Sequence, residues 1–267
     1  MRNILFYILI FALSLSCKNT AEDTNSESIN SQNSLSQKNN RILFVVSNQH
    51  TYGDTDINAS NHFAEIVLAY DVLKHKGYLI DFVSPKGGAI PIGYISTSDS
   101  IQKNYLYDFE FMELLKHTKK PEAIVSSNYA AVYFGGGGAA MFGVPENEAI
   151  QKIAMDIYEK NDGIVSAICH GTAGLVNLKT IDGKFLYEGK KVNGFPDQFE
   201  NMEAEYYKQF PFSIEQEIKT RGGDFTYSKE GWDNYSIADG RLITGQDPTA
   251  AVSVAKKIIK ALEKNTK

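Results

Sequence analysis

The sequence is poor in cysteine and has no excess of positive charge. Its 267 residues include 2 Cys, too few for a disulfide framework, so each cysteine has to be considered for its own chemistry. Lys and Arg number 27 against 32 Asp and Glu, which gives a formal net charge of −5. Because nucleic-acid binding depends on clustered positive charge, this balance argues against a nucleic-acid partner. The sequence also lacks a Cys/His cluster with the spacing of metal ligands, so no metal site is predicted.

The first 17 residues have the pattern of a lipoprotein signal peptide. Arg2 precedes an apolar run over residues 4–15, and the small residue Ser16 stands directly before Cys17. The run is shorter than the about 20 apolar residues of a membrane-spanning helix, and its flanks are typical of a secretion signal. The pattern resembles bacterial lipoprotein signals, in which the cysteine becomes lipid-modified. We therefore expect lipidation of Cys17 and a lipid-anchored location in the bacterial cell envelope, on the periplasmic or surface face. The alternative is an ordinary secretory signal and a soluble secreted or periplasmic protein.

A polar segment separates this signal from the rest of the chain. Residues 18–40 are dominated by Ser, Asn, Gln, Thr and Glu, so they offer almost no apolar surface to bury and are predicted to form a disordered tether. A flexible chain of this length has a typical reach of about 25 Å. The folded domain is predicted to occupy residues 41–264.

Short apolar strands alternate with helical patterns along this domain. Strands are predicted at 41–47, 78–83, 130–134, 163–168 and within 235–244, the last with a turn at residues 239–240. Helices are predicted at 62–76, 147–160, 172–178 and 248–262. This alternation predicts one α/β domain whose mainly parallel sheet is covered on both faces. In such sheets, functional groups gather at the carboxyl ends of the strands.

Cys169 is the first candidate functional residue at such a strand end. It follows the predicted strand 163–168 and begins a turn that contains Gly171, a pattern typical of a nucleophile elbow. If a helix begins there, its N-terminus should lower the thiol pKa below the usual value of about 8.5. The alternative is a buried structural cysteine.

His170 is adjacent to Cys169 and is a candidate acid–base partner for its thiol; the alternative is a histidine that only caps the turn. The five histidines lie at positions 50, 62, 75, 117 and 170, so none follows His170. The late His-x-Glu pair of class I glutamine amidotransferases is therefore impossible. An acid–base partner for Cys169 must be His170 itself or a histidine from an earlier loop.

Two further features accompany the predicted strand ends. Glu65 is a carboxyl within an apolar helical stretch: it is either exposed, or buried with a raised pKa and hence protonated. The run Gly135 to Gly138 follows another strand and offers backbone N–H groups for an oxyanion hole. It lacks the Lys and Ser/Thr of a phosphate-binding loop, so no nucleotide is predicted.

Several motifs together resemble one known family. They are SAICHGTAGL, AAMFGVP after the glycine run, AEIVL around Glu65, and WDNYSIADGRLITGQDP near the C-terminus. These strings are similar to the ThiJ/PfpI superfamily, most closely to its branch of heat-shock chaperones and glutathione-independent glyoxalases (glyoxalase III). The likeness covers residues 41–262 and implies a flavodoxin-like three-layer sandwich with a mainly parallel central sheet.

The resemblance implies a thiol active site drawn from four segments of the chain. The implied roles are Cys169 as nucleophile, His170 as its partner, Glu65 as a protonated carboxyl touching the sulfur, Gly136 and Gly137 as the oxyanion turn, and Glu200 as the carboxylate that orients His170, with Asp197 and Glu203 as competitors for that last role. One departure stands out, because Gly138 occupies the position where this branch usually has a histidine.

The function implied by the resemblance is that of a cofactor-free glyoxalase III-type lyase (a D-lactate dehydratase) in stress detoxification. It would convert methylglyoxal or a related 2-oxoaldehyde into a 2-hydroxy acid. Two alternatives use the same residues: a stress chaperone or redox sensor in which Cys169 is oxidised, and a thiol hydrolase acting as peptidase, amidase or deglycase. The expected partners are a small aldehyde, the membrane through the lipid on Cys17, and a second copy in a homodimer.

Overall fold

The structure is a computed structural model that describes residues 40–264. The predicted signal peptide with Cys17, and the predicted tether except its last residue, lie outside the described residues. The predictions made for those segments therefore remain predictions.

The strands of the described residues are β1 Arg41–Val45, β2 Asn61–His62, β3 Leu79–Val83, β4 Ile92–Gly93, β5 Ala131–Phe134, β6 Ile164–Ile168, β7 Lys191–Val192, β8 Asp224–Phe225, β9 Ser236–Asp239 and β10 Leu242–Gly245. Six of them form one central sheet. The strand order is β3-β1-β5-β6-β10-β9, and all neighbouring pairs are parallel except β10 and β9. Two short parallel pairs, β2 with β4 and β7 with β8, lie outside this sheet.

Helices connect and cover the strands. The α-helices of the described residues are α1 Phe63–His75, α2 Ser100–Tyr107, α3 Phe109–Lys116, α4 Glu148–Lys160, α5 Ile214–Thr220 and α6 Ala251–Lys264. Two 3₁₀ helices, Gly138–Met141 and Cys169–Leu175, follow β5 and β6. Within residues 40–264, no helix combines the length and the apolar character needed to cross a membrane.

The sheet is buried on both faces because alternate residues of its strands contribute to two separate cores. In β1, Leu43 and Val45 join one core together with residues of α4. Ile42 and Phe44 join the other core, which contains residues of α1 and α6. This arrangement confirms the predicted flavodoxin-like three-layer sandwich with a mainly parallel sheet.

Several elements differ from the prediction. The predicted helix 172–178 is instead the 3₁₀ helix Cys169–Leu175. The strand pattern within 235–244, predicted with a turn at residues 239–240, is confirmed as the hairpin of β9 and β10. The short helices α2, α3 and α5 were not predicted, although Asp99 and Asp108 cap the first two by accepting hydrogen bonds from backbone N–H groups. These differences concern helices around the sheet, not its strands. The carboxyl ends of β1, β5, β6 and β10 meet at one edge, where the candidate site lies.

Candidate active site

Cys169 lies on a sharp turn between β6 and the 3₁₀ helix that follows. Its φ is 54°, a left-handed conformation that is unusual for a residue with a side chain and typical of strained functional positions. Gly171 packs so closely behind the turn that an added Cβ would collide with the carbonyl oxygen of Phe134. The thiol is free and only 3% exposed. The structure thus has the elbow geometry expected from the sequence.

His170 lies between the sulfur and a buried carboxylate. Its Nδ1 is 3.4 Å from Cys169 Sγ, and its Nε2 is 2.7 Å from Glu200 Oε1. The hydroxyl of Tyr206 donates to the other oxygen of Glu200 at 3.3 Å, and the His170 ring stacks on Phe195 with a centroid distance of 4.9 Å. Because the carboxylate accepts a hydrogen bond from the Nε2–H of His170, Nδ1 is left with a lone pair that faces the thiol.

The structure brings Glu200 to His170 and places its two competitors elsewhere. Asp197 accepts hydrogen bonds from Ser213 Oγ at 2.6 Å and Gln216 Nε2 at 3.1 Å. Glu203 is exposed. The sequence left three carboxylates open, and only the fold of the segment after β7 decides among them.

Glu65 lies in the first turn of α1 with no solvent exposure. Its Oε2 accepts a hydrogen bond from the N–H of Gly136 at 2.8 Å. Burial raises its pKa to about 8, although the interactions with the Cys169 thiol and the Gly136 N–H oppose the rise. The carboxyl is therefore protonated at neutral pH, in agreement with the buried alternative predicted from the sequence.

The pKa of the Cys169 thiol is raised, whereas the sequence predicts that it is lowered. Burial raises the pKa of Cys169, negative charge on Glu65 raises it further, and the backbone N–H of His170 opposes the rise. The expected decrease depended on a helix N-terminus, but the element that begins here is a 3₁₀ helix and the sulfur is buried. Below about pH 8, Glu65 is protonated and no longer repels a negative charge on the Cys169 sulfur. Burial still favours the thiol, so a base is needed, and His170 Nδ1 is in place to accept the proton.

The glycines of the turn after β5 make different contacts. The N–H of Gly136 is taken by Glu65, so the prediction that Gly136 donates to an oxyanion is wrong: this residue holds the carboxyl instead. Gly137 has a φ of 95° and lines the cavity above Cys169 together with Gly138. Of the two predicted oxyanion donors, Gly137 is the one that lies on the cavity wall.

A tyrosine fills the space beside Gly138, the position where the resemblance implies a histidine. A Cβ at Gly138 would collide with the hydroxyl of Tyr52, which is buried at the cavity wall. A side chain at position 138 would therefore require Tyr52 to move.

His62 supplies an imidazole that was not assigned to the site from the sequence. It lines the same cavity, and its ring is stacked on Tyr94 at 4.8 Å with an interplanar angle of 2°. Its Nδ1 is 4.0 Å from Glu65 Oε1, and among the described residues neither atom has a nitrogen or oxygen hydrogen-bond partner. Burial lowers the pKa of His62 to about 4, so the ring is neutral at neutral pH. The available signal was its position three residues before Glu65, one helical turn away.

The cavity that opens from Cys169 has a volume of about 550 Å³. Its walls are mainly aromatic. Among the described residues that line it, Glu200 is the only carboxylate and none is Lys or Arg. Residues 40–264 also contain no group of three or more His, Cys, Asp or Glu side chains arranged to hold a metal ion.

The sequence pattern of the DJ-1/PfpI family matches residues 60–261. The chain belongs to the DJ-1/PfpI family. This DJ-1/PfpI protein is 31% identical to the glutathione-independent glyoxalase HSP31 of Saccharomyces cerevisiae, over 74% of this chain and 87% of the yeast protein. It is 30% identical to Glyoxalase 3 of Candida albicans, over 84% of this chain and 98% of that protein.

Two solved structures have a fold similar to this one. The crystal structure of glyoxalase III from Candida albicans is 27% identical, covers 84% of this chain and 98% of its own, and superposes with a TM-score of 0.76. The Rapid Encystment Protein 24 kDa of Francisella tularensis is 29% identical, covers 83% and 98%, and gives a TM-score of 0.77. The DJ-1/PfpI protein is thus similar over nearly its whole described length to proteins named as glyoxalases.

Proposed function

We propose that this DJ-1/PfpI protein is a glutathione-independent glyoxalase that converts methylglyoxal or a related 2-oxoaldehyde into a 2-hydroxy acid. The observation that carries the proposal is the buried contact series from Cys169 through His170 to Glu200, with the protonated Glu65 beside the sulfur. The similarity to relatives named as glutathione-independent glyoxalases supports it. The described residues provide thiol and acid–base chemistry, and the proposed steps use only these groups.

The first step is addition of the sulfur to the aldehyde carbon. As the S–C bond forms, the thiol proton passes to His170 Nδ1 and from there to the carbonyl oxygen, which becomes the hydroxyl of a hemithioacetal. Gly137 on the cavity wall supplies a backbone N–H for the developing oxyanion. Glu65 stays protonated, and its O–H stabilises negative charge on the Cys169 sulfur.

The second step moves hydrogen between the two substrate carbons. His170, neutral again, removes the proton from the former aldehyde carbon, and the neighbouring carbonyl oxygen takes up a proton, so that an enediol forms. Reprotonation at the second carbon and loss of the hydroxyl proton at the first give a thioester. The substrate is only isomerised, so no external oxidant or reductant is needed. Acid–base assistance of this kind contributes about 10²- to 10⁴-fold in rate.

The last step is hydrolysis of the thioester by water, which releases the 2-hydroxy acid and restores the thiol. Glu200 orients His170 as the base that activates this water. His62, neutral above about pH 4, offers a second imidazole on the cavity wall that can exchange a hydrogen bond with the substrate.

The test is loss of methylglyoxal in the absence of glutathione, with lactate measured as the product. The wild-type protein should produce lactate, and Cys169→Ala should not. Lactate formation that survives in Cys169→Ala would disprove the thiol mechanism. Release of amine from small amides, together with a trapped acyl-enzyme, would favour the hydrolase alternative. Unchanged suppression of client aggregation by Cys169→Ala, without turnover, would favour the chaperone alternative.

We further propose that Cys17 carries a lipid that anchors this protein in the bacterial cell envelope. The support is the sequence pattern of residues 1–17 and the polar segment that follows. Homodimer formation remains a prediction, and the mass of the protein in solution tests it.

A further inference from the structure

The cavity is much larger than a small aldehyde requires. Its volume of about 550 Å³ falls within the range of about 300–1,000 Å³ that is typical of pockets for drug-sized ligands. Methylglyoxal carries only a methyl group beyond its two carbonyl carbons, so it would leave most of this space to water. The unused volume is the part of the site that the proposed chemistry does not explain.

An aromatic wall leads from the reacting atoms to the mouth of this cavity. The His170 ring stacks on Phe195, and Phe195 in turn contacts Trp232 edge-on with a centroid distance of 6.2 Å. Trp232 also packs against Phe199 at 5.3 Å. A substrate bound at Cys169 with its side chain directed outward would meet aromatic rings along this wall.

The outermost aromatic side chains are exposed and are held in strained backbone conformations. Tyr94 and Trp232 are each 57% exposed, and both line the cavity. Their φ angles are 56° and 48°, which are outliers for bulky residues and cluster at ligand-binding sites. The N–H of Trp232 donates to the buried carboxylate of Asp247 at 2.8 Å, so the strained turn is tied to the sheet edge. Exposed, fixed aromatic side chains at a cavity mouth indicate a ligand that covers them.

The charges around the cavity narrow the class of ligand. No Lys or Arg is found among its described lining residues, and Glu200 is engaged by His170 and Tyr206. A substrate with a phosphate or carboxylate on its side chain would therefore lose its hydration without gaining an ionic partner. An uncharged, apolar side chain fits these walls best.

We infer that the preferred substrate is a 2-oxoaldehyde with an aromatic side chain, such as phenylglyoxal, whose ring packs along the wall that ends at Trp232. The inference rests on the proposed function, since it adds a substrate class to the same site. Trp232 is then a specificity-determining residue: it contacts the substrate ring and leaves the reacting atoms to Cys169 and His170.

The decisive experiment compares kcat/KM for phenylglyoxal and methylglyoxal in the wild type and in Trp232→Ala. The quantity compared is the ratio of kcat/KM for phenylglyoxal to kcat/KM for methylglyoxal in each protein. Because each aldehyde is hydrated to the same extent in both assays, hydration cancels when the ratios of the two proteins are compared. We expect the ratio of kcat/KM for phenylglyoxal to kcat/KM for methylglyoxal to fall at least about tenfold in Trp232→Ala, as for lost contacts in an apolar specificity pocket, because only the aromatic substrate loses a ring contact. Trp232→Phe should restore most of the ratio.

The matched control is Tyr107→Ala, which removes a similarly exposed aromatic side chain outside the cavity. It should leave the ratio unchanged. An unchanged ratio in Trp232→Ala would overturn the inference.

A binding measurement separates this inference from the proposed function. Trp232 is the single tryptophan of the chain, so intrinsic tryptophan fluorescence reports on the cavity mouth alone. The nitroaromatic 2-hydroxy acid 4-nitromandelate should quench this fluorescence saturably, whereas lactate at the same concentration should not. If neither aldehyde is consumed but 4-nitromandelate still quenches saturably, the glyoxalase proposal fails and the aromatic site stands. If methylglyoxal is consumed and 4-nitromandelate does not quench, the glyoxalase proposal stands and the aromatic site is wrong.

Discussion

Glu65 shows how the fold sets the charge of a single residue. Its pKa is raised to about 8 from an ordinary value of 4.5 because the carboxyl is buried. The folded state therefore binds a proton that the unfolded state releases between about pH 4.5 and 8, so the free energy of unfolding falls as the pH rises through this window. Each pKa unit corresponds to about 1.4 kcal/mol.

We predict that, in Glu65→Gln, the free energy of unfolding no longer falls as the pH rises through this window. The amide has the shape of the protonated carboxyl and keeps an oxygen that can accept the Gly136 N–H. In urea unfolding at several pH values, the wild type should lose on the order of several kcal/mol relative to Glu65→Gln as the pH rises from about 4.5 to 8. A difference between the two proteins that stays constant across this window would contradict a buried, protonated Glu65.

Glu200 acts on the chemistry through the orientation of His170. In Glu200→Gln, the hydroxyl of Tyr206 should retain the oxygen acceptor, which turns the amide NH₂ towards His170 Nε2. The ring would then carry its proton on Nδ1 and could no longer accept the thiol proton. We predict that kcat for methylglyoxal falls by about 10²-fold, while KM changes less than about twofold.

The control for this prediction is Glu203→Gln, the same chemical change at an exposed carboxylate three residues later. It should leave kcat unchanged. Equal effects of the two variants would mean that Glu200 does not position the base. A loss in Glu200→Gln that appears in KM alone would point to the same conclusion.

At the scale of elements, close backbone approach determines where the elbow lies. An added Cβ at Gly171 would collide with the carbonyl oxygen of Phe134 and come within 2.7 Å of the carbonyl carbon of Gly135. Backbone atoms of a central strand cannot move away cheaply. We therefore predict that Gly171→Ala destabilises the protein by about 3 kcal/mol or more and displaces Cys169, so that turnover is lost as well.

The matched control is Gly240→Ala in the hairpin between β9 and β10. Gly240 has a φ of 59°, but no atom lies within 4 Å of the position of an added Cβ. Its substitution should cost only the conformational penalty of about 1–2 kcal/mol. Similar unfolding midpoints in urea for the two variants would contradict the role of close packing at Gly171.

The sequence predicts the regular elements of this fold better than the contacts between loops. The parallel strands and the large helices α1, α4 and α6 follow from apolar runs and periodicity. The short helices α2, α3 and α5 have only 8, 8 and 7 residues, about two turns each, which is too short for a clear helical period, although Asp99 and Asp108 provide capping signals.

In the candidate site, too, local sequence patterns predict some features, while contacts between loops do not follow from them. Cys169 and Gly171 are adjacent in sequence to a strand end, so local pattern is enough to propose an elbow. The positions of His62 and Tyr52 in the cavity depend on how the segment before α1 packs against the glycine turn, which no local pattern encodes. The prediction of a lowered pKa for Cys169 is wrong. The sequence does not show how deeply the sulfur is buried or that the helix beginning at Cys169 is a 3₁₀ helix.

At the scale of the whole molecule, the proposed lipid anchor and the proposed active site are chemically independent. Cys17 lies outside the described residues, whereas every group proposed for catalysis lies between Tyr52 and Trp232. If residues 18–40 form a flexible tether, as predicted from their composition, a reach of about 25 Å would leave the cavity open to small molecules on the same side of the membrane.

We therefore predict that Cys17→Ser separates location from activity. In bacteria fed a labelled fatty acid, the wild type and Cys169→Ser should carry the label and sediment with membranes, while Cys17→Ser should carry none and lose membrane association. Purified Cys17→Ser should retain the wild-type kcat for methylglyoxal, because the substitution changes no group at the cavity. An unlabelled wild type in the soluble fraction would instead indicate an ordinary secretory signal. A loss of kcat in Cys17→Ser would show that the N-terminal segment takes part in the site, against the independence argued above.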